Sequence, residues 1–352
     1  MNPRPNCKQS EFIKNAVFDE EILMLTHGDM WPYTWADNDA LCVACGDLDG
    51  SPISTWEADG RPQDKNLNVR LLNYTPFDLE AIKALPETHP NNNIKPSGVI
   101  FVNGVLYMSV STMNYGEEAH GRRQRYPNAW LVTSMDYGKT WNRQATGYDF
   151  FGTAFAGLTF VQFGKNYENA RDEYIYACSP GSYRGVAYWE NADFLLMGRV
   201  PAERILEREA WTFFAGGDEW VVDLAAAKPV FEYPSMTGQN FIQYNAGLNR
   251  YFMGNYAFMT EDGKPRPYHQ GEFTKEGETR FPTQLCLLEA PEPWGPWSVF
   301  HIEDRWGRFG GYQPGFPAKW MSEDGLEMYM LHSSSDIDYR FLVQKLTVET
   351  AR

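Results

Sequence analysis

The chain has 352 residues, of which 43% are hydrophobic, so it can build a large core and global disorder is excluded. Its formal net charge of −15 argues against nucleic acids and anionic membrane surfaces as partners, because both require a basic face. No segment approaches the roughly 18 apolar residues of a membrane span. Residues 1–21 are polar and lack the apolar core of a signal peptide.

Short apolar strands recur in five similar units along the chain. In the second unit, two strands flank Asn103-Gly104, a sequence typical of a tight hairpin turn. The predicted strands are 31–36, 40–46 and 69–74 in the first unit; 98–111 (a hairpin) and 129–135 in the second; 157–163, 173–179 and 194–200 in the third; 240–245, 250–255, 284–289 and 297–300 in the fourth; and 315–321, 327–332 and 341–348 in the fifth. Five such units predict an all-β protein, a five-bladed β-propeller that occupies residues 1–352 as a single domain.

Only short helices are expected, in loops between blades. Thr75-Pro76-Phe77-Asp78 has a capping pattern with Pro at the first helical position, so a helix should begin there and end before Pro86. Pro201 should open a second one over residues 202–209. Residues 134–141 resemble the Asp box of sialidases and other propellers, a turn on the outer rim that Asp136 would cap. We expect a structural role for that turn.

The five cysteines show no plausible disulfide framework: they are Cys7, Cys42, Cys45, Cys178 and Cys286. Cys42 and Cys45 have the spacing of half a zinc site, but strand residues three apart point to opposite faces and no second pair exists. We therefore expect buried thiols, no metal ligands and no required cofactor. A structural cation near the central channel stays compatible with the sequence.

A propeller places its ligand site at one mouth of the central channel. The site is built from the start of each blade's first strand and the end of its second strand. This rule selects the candidate substrate-binding residues Trp31, Lys95, Asn114, Ser179, Tyr183, Asn240, Asn255, Tyr312, Gln313 and His332. Aromatic residues among them could stack on sugar rings, although strands of all-β proteins favour aromatics in any case.

The first unit carries a cluster of acidic residues, namely Asp29, Asp37, Asp39, Asp47 and Asp49. If Asn38 is the hairpin tip, Asp29 lies opposite Asp47, and opposed residues have Cβ atoms about 4.5–5.5 Å apart. Two carboxylates so close repel each other, so that one tends to hold a proton beside an ionised partner. Glycosidic cleavage needs such an acid and base. At the hairpin tip, Asp37 and Asp39 are expected to be ordinary turn residues. The alternative for all five aspartates is a cluster that binds a cation or caps turns.

Residues 28–39, followed by Gly46-Asp47, resemble the endo-D-arabinanase family of glycoside hydrolases, long known as a bacterial and fungal domain of unknown function. Further similarity lies in residues 199–208, 244–251 and 312–325. The resemblance implies a five-bladed propeller with a catalytic pair at Asp29 and Asp47. It also implies a polysaccharide or oligosaccharide substrate and a secreted or periplasmic location. We expect inversion with Asp29 as the base, because short Asp side chains can splay apart and admit a water.

Two other functions fit the sequence. A polysaccharide lyase acting on a uronate polymer could use Tyr115, His120 and Arg122 as its base and its cationic groups. A non-catalytic sugar-binding propeller could use the acidic cluster to hold a cation. Neither alternative involves nucleic acid or a membrane as the partner.

Overall fold

The computed structural model describes residues 2–48, 51–74, 93–113, 125–183, 187–189, 191–265, 282–307, 310–334 and 339–351. Four features predicted above lie outside these residues: Asp49 of the acidic cluster, the helix beginning at Thr75, the candidate Asn114, and the loop with Tyr115, His120 and Arg122.

The fold is the predicted five-bladed β-propeller. The first two strands are β1 (Lys8–Gln9) and β2 (Ile13–His27). Blade 1 consists of β3 (Tyr33–Trp35), β4 (Leu41–Cys45), β5 (Ser54–Asp59) and β6 (Asn68–Tyr74). Blade 2 consists of β7 (Asn93–Val102), β8 (Val105–Met113), β10 (Asn128–Ser134) and β11 (Phe151–Gly152), while β9 (Arg125–Tyr126) pairs with β14 (Ala187–Tyr188).

The remaining three blades follow the same plan. Blade 3 consists of β12 (Thr159–Phe160), β13 (Tyr174–Gly181), β15 (Ala192–Pro201), β16 (Thr212–Gly216) and β17 (Glu219–Val221), hydrogen-bonded in this order. Its sixth strand, β18 (Phe231–Thr237), pairs with β15. Blade 4 consists of β19 (Phe241–Asn245), β20 (Arg250–Phe258), β21 (Thr283–Ala290) and β22 (Ser298–Trp306). Blade 5 consists of β23 (Gly311–Gly315), β24 (Glu327–Ser334) and β25 (Arg340–Thr350).

Strands in the middle of blades 1 and 4 are buried on both faces. All five residues of β4, Leu-Cys-Val-Ala-Cys, are buried, and so are all eight residues of β21. Neighbouring blades cover both sides of these strands, so an unbroken apolar run is stable there, whereas a strand with one solvated face would alternate.

The N-terminal segment closes the ring. Strand β2 pairs antiparallel with β25 and becomes the outermost strand of blade 5, while β1 runs parallel to β22 of blade 4. Neither strand was predicted from the sequence; in β2, register shifts break the alternation of apolar and polar residues. Strand β5 was not predicted either, and the first strand of blade 5, predicted at residues 315–321, lies instead at Gly311–Gly315 (β23).

Within the described residues, the helical structure is limited to short 3-10 turns: Pro62–Asp64, Thr153–Phe155, Lys165–Tyr167, Ala202–Arg204, Arg208–Ala210, Leu224–Ala226 and Ala318–Trp320. The helix predicted at residues 202–209 is therefore wrong, since Glu207 has an extended backbone (φ −102°, ψ 106°) that separates two such turns. No helix in the described part of the chain is long and apolar enough to span a membrane. In the Asp box, the Asp136 carboxylate accepts hydrogen bonds from the backbone N–H and the hydroxyl of Thr140, at 2.8 and 2.7 Å.

Close packing of blades near the axis gives a test of the fold. A Cβ built on Gly98 of β7 would lie 2.8 Å from the carbonyl oxygen of Leu158 and 2.9 Å from the Cα of Thr159. Since backbone cannot move aside as a side-chain tip can, we expect Gly98→Ala to lower the free energy of unfolding by about 1–3 kcal/mol in urea titrations. Gly152→Ala is the matched control, because its Cβ would meet open space. Equal effects of the two variants would contradict this packing.

Candidate functional site

The blade-1 hairpin brings Asp29 and Asp47 to the same end of its two strands. Tyr33 opposes Val43, in the register predicted from a tip at Asn38. Nearer the mouth, however, Asp29 pairs with Gly46 and not with Asp47, so the predicted register is wrong there by one residue. The extra residue lies between Asp29 and β3, where Met30 adopts a left-handed backbone conformation (φ 54°).

At the other end of the hairpin, Asp39 acts as a turn residue, as predicted. Its backbone N–H donates to the Ala36 carbonyl at 3.2 Å, and its carboxylate accepts from the Trp35 indole at 3.1 Å. Burial acts to raise the pKa of Asp39, but the hydrogen bond from Lys165 and the charge of Lys319 together lower it. This carboxylate is engaged in holding the turn.

Asp29 is enclosed by blade 5. The residue is only 5% exposed, and its Oδ2 accepts a hydrogen bond from the Tyr312 hydroxyl at 3.0 Å. The Tyr312 ring is itself fixed, with its centroid 5.6 Å from that of Trp189 and 6.1 Å from that of Phe258. Tyr312, selected as a substrate-binding residue from the sequence, here orients the Asp29 carboxylate.

The backbone around Asp29 is anchored on both sides. The Gly28 N–H donates to the Tyr339 carbonyl at 3.2 Å, and the Met30 N–H donates to the Ser333 hydroxyl at 2.9 Å. Ser333 was not among the predicted site residues, and only its position near the end of β24 could have indicated it. These bonds to blade 5 fix the carboxylate before any ligand arrives.

Trp31 lies in the core, which does not fit the sugar-stacking role predicted for it. Its ring meets those of Trp56 and Phe341 edge-on, with centroids 5.9 and 5.0 Å away. Its indole N–H donates to the Arg340 carbonyl at 3.2 Å. The residue is buried, so its indole packs between blades 1 and 5 and supports the segment that carries Asp29.

Asp47 has very different surroundings from Asp29. Its side chain is 37% exposed and forms an ion pair with Lys95, whose side chain is 2% exposed. A Cβ built on Gly46 would lie 3.0 Å from Asp29 Oδ1 and 3.5 Å from Lys95 Nζ, so both groups lie beside Gly46. Asp47 itself has a left-handed backbone (φ 44°), a strained conformation that often marks functional sites.

Gln313 belongs to a buried hydrogen-bond network that joins blades 2, 4 and 5. Its side-chain N–H donates to the carbonyl oxygen of the Gln239 side chain at 2.9 Å, and the Tyr126 hydroxyl donates to the same oxygen at 3.0 Å. The Gln239 amide donates in turn to the Ser97 carbonyl at 3.0 Å. The network fixes Gln313, which has a left-handed backbone (φ 52°) one residue after Tyr312.

Three further candidates serve the protein's own hydrogen bonding. Asn255 accepts from the Gly238 N–H at 3.1 Å and contacts the buried side chain of Asn240. The Ser179 hydroxyl accepts from the Gly157 N–H at 3.1 Å. All three are buried, and the structure therefore gives them packing roles at the positions where the sequence predicted substrate contacts.

The last two candidates differ in exposure. His332 is buried, its ring lies 4.9 Å from that of Trp306, and burial lowers the pKa of the imidazole to about 4. Tyr183, in contrast, is 65% exposed beyond the end of β13, where its hydroxyl donates to Glu232 at 2.9 Å. Of the described candidates, Tyr183 is the aromatic residue best placed to meet a ligand.

The structure offers little for a metal ion. All five cysteines are free thiols. Within the described ranges, no three His, Cys, Asp or Glu side chains come close enough together to hold a metal ion. A separate groove of about 380 Å³ is lined by residues of blades 5 and 1 that include Leu23, Leu67 and Tyr329, and neither Asp29 nor Asp47 is among its lining residues.

Comparisons with known proteins agree with this architecture. Residues 26–264 match a family described as "Domain of unknown function (DUF4185)". A GH43_1 enzyme from Xanthomonas citri complexed with xylose is 12% identical, with a TM-score of 0.53 over 92% of this chain and 91% of that chain. The same kind of enzyme complexed with xylotriose is also 12% identical, with a TM-score of 0.52 over 92% of this chain and 89% of that one. No curated protein matches the sequence. At such low identities the structural likeness shows the fold.

Proposed function

This chain belongs to the DUF4185 family, and we propose that it is a glycoside hydrolase that cleaves a polysaccharide or oligosaccharide with Asp29 and Asp47. One observation carries the proposal. Two carboxylates come from a single hairpin: Asp29 is buried and lies beside Gly46, whereas Asp47 has a side chain that is 37% exposed and pairs with the buried ammonium group of Lys95. Carboxyl groups in unequal surroundings supply the acid and the base that hydrolysis of a glycosidic bond requires.

A D-arabinan is the substrate we propose, on the strength of the resemblance to endo-D-arabinanases around Asp29 and Asp47. An uncharged sugar polymer suits a protein with a net charge of −15, since a polyanion would be repelled. The similar fold of an enzyme complexed with xylotriose supports a sugar ligand for a propeller of this kind.

We further propose that the reaction inverts the anomeric centre. Asp29 opposes Gly46, so Asp47 lies one residue beyond the directly opposed position. The two carboxylates are therefore not a directly facing pair, and a water can enter between the sugar and the base. Inverting enzymes need a separation of about 6.5–9.5 Å for this purpose, against about 5–5.5 Å in retaining enzymes.

A substrate panel tests the proposed function. We expect the purified protein to release reducing ends from D-arabinan, without the ultraviolet absorbance of unsaturated sugars. NMR of the first-formed product should show the anomer opposite to that of the substrate. Unsaturated products from a uronate polymer would establish a lyase instead. Sugar binding without any product, across arabinans, other furanose polymers and uronate polymers, would establish a non-catalytic propeller.

A further inference from the structure

Blade 3 presents an exposed tyrosine at the same end of the propeller as Asp47. Tyr183 follows the last residue of β13 by two positions, and Asp47 follows the last residue of β4 by two positions. Each of these strands pairs antiparallel with the first strand of its blade, so both end at the same face of the ring. Blade 2 separates the two positions, since β7 contacts both β3 and β12.

The end of β13 is packed against the layer that holds Asp29. Tyr126 and Pro180 both lie beside Gly157, at 2.9 and 3.0 Å from a Cβ built on that glycine. Tyr126 belongs to the buried hydrogen-bond network of Gln313, the residue after the tyrosine that bonds to Asp29. Blade 3 and the aspartate pair therefore share one layer of the propeller, although a whole blade lies between them.

A buried carboxylate joins the segment of Tyr183 to a second exposed segment. Asp193 is only 7% exposed, and its two oxygens accept the backbone N–H groups of Tyr183 at 3.1 Å and of Ser235 at 2.9 Å. Ser235 lies in β18 with a left-handed backbone (φ 60°), and the same strand carries the exposed Glu232. Because a buried carboxylate is stable only when it is bonded, Asp193 holds both segments in place.

The Tyr183 ring is exposed and yet held in one orientation. Its hydroxyl donates to Glu232 at 2.9 Å, and the ring meets that of Phe194 edge-on with centroids 5.2 Å apart. Phe194 lies across Gly181, where an added Cβ would be 2.4 Å from its ring. A ring that is already fixed loses little side-chain entropy when a ligand binds to it.

We propose that Tyr183 and Glu232 form a subsite for a sugar ring of the polymer, remote from the bond that is cleaved, and that Asp193 is its positioning residue. This inference rests on the proposed function and adds to it a preference for long chains. The sugar ring stacks on the tyrosine, and the Glu232 carboxylate accepts hydrogen bonds from sugar hydroxyls. Since a whole blade separates the subsite from the aspartates, only a chain of several sugar units reaches both.

Chain length tests the subsite in Tyr183→Ala. We expect KM for D-arabinan to rise about 5–20-fold with kcat little changed, because the lost contact is equal in the ground state and the transition state. The shortest D-arabino-oligosaccharide that the wild type cleaves should keep its kcat/KM, since it does not extend to blade 3. Equal losses on the polymer and on this short substrate would overturn the inference. Tyr74→Ala is the control, as Tyr74 is an exposed tyrosine at the end of β6.

Asp193→Ala tests the positioning role. This variant should raise KM for D-arabinan as Tyr183→Ala does, although the carboxylate is buried. Loss of folded protein alone would lower the apparent kcat and leave KM unchanged, so the two effects separate. Asp172→Ala is the matched control, because the Asp172 carboxylate accepts the Tyr174 N–H at the other end of β13. An unchanged KM in Asp193→Ala would overturn the positioning role.

Failure of this inference can be told apart from failure of the proposed function. If the wild type cleaves nothing, the proposed function fails, and calorimetric titration with D-arabino-oligosaccharides of increasing length tests the subsite without catalysis. Weaker binding by Tyr183→Ala that appears only with the longer oligosaccharides supports the subsite. Equal Kd values for wild type and variant at every length, or no binding to either protein, would overturn it.

Discussion

Replacing Asp29 or Asp47 by asparagine is expected to reduce hydrolysis by about 10²–10⁴-fold, the usual contribution of general acid–base catalysis. Asparagine keeps the size and shape of the side chain but can neither release a proton to the departing sugar nor accept one from water. Asp29→Asn retains an oxygen for the Tyr312 hydroxyl, and Asp47 is half exposed. Both variants should therefore fold, and initial rates of reducing-end release measure the loss.

The matched control lies in the same hairpin. Asp37→Asn makes the same chemical change at the exposed turn, and its rate should stay within about twofold of the wild type, in line with the small effects of most surface substitutions. Near-normal hydrolysis by either Asp29→Asn or Asp47→Asn would remove that residue from the mechanism. Similar losses in all three variants would show that the hairpin acts through its structure.

Truncation of Trp31 is expected to cause the largest loss of stability. The indole is buried between Trp56 and Phe341, and replacing a large buried aromatic residue by alanine lowers the free energy of unfolding by about 3–5 kcal/mol. The cavity would open two residues from Asp29, so activity should fall with stability. Urea titration followed by circular dichroism measures the first effect, and hydrolysis rates below the unfolding transition measure the second.

Tyr183→Ala provides the contrast, because this tyrosine is 65% exposed just beyond the end of β13. This substitution should leave the free energy of unfolding within about 0.5 kcal/mol of the wild-type value, while the KM for a sugar polymer should rise. If Trp31→Ala instead unfolds like the wild type and changes only KM, Trp31 contacts substrate and the packing described here is incorrect.

The five blades could be predicted from the sequence because their signals are local. Asn103-Gly104 sets a hairpin turn, and Leu41 to Cys45 is an apolar run suited to a strand buried on both faces. The same local geometry predicted that Asp29 and Asp47 lie at one end of their hairpin, since residues at equal distances from a turn lie opposite each other. The predicted strand register was wrong by one residue at Asp29, because the left-handed conformation of Met30 has no sequence signal.

Only the tertiary structure decided which candidates face the channel mouth and which are core. Trp31 and Tyr312 look alike as aromatic residues at strand starts, yet the indole packs on Phe341 and the phenol bonds to Asp29, 283 residues away in sequence. Likewise, the sequence placed Lys95 at the mouth but could not pair it with Asp47, because that contact joins two blades. Contacts between blades depend on how the sheets pack around the axis, and that packing depends on side-chain burial over the whole ring. Hairpins and turns, in contrast, depend on the few residues that form them.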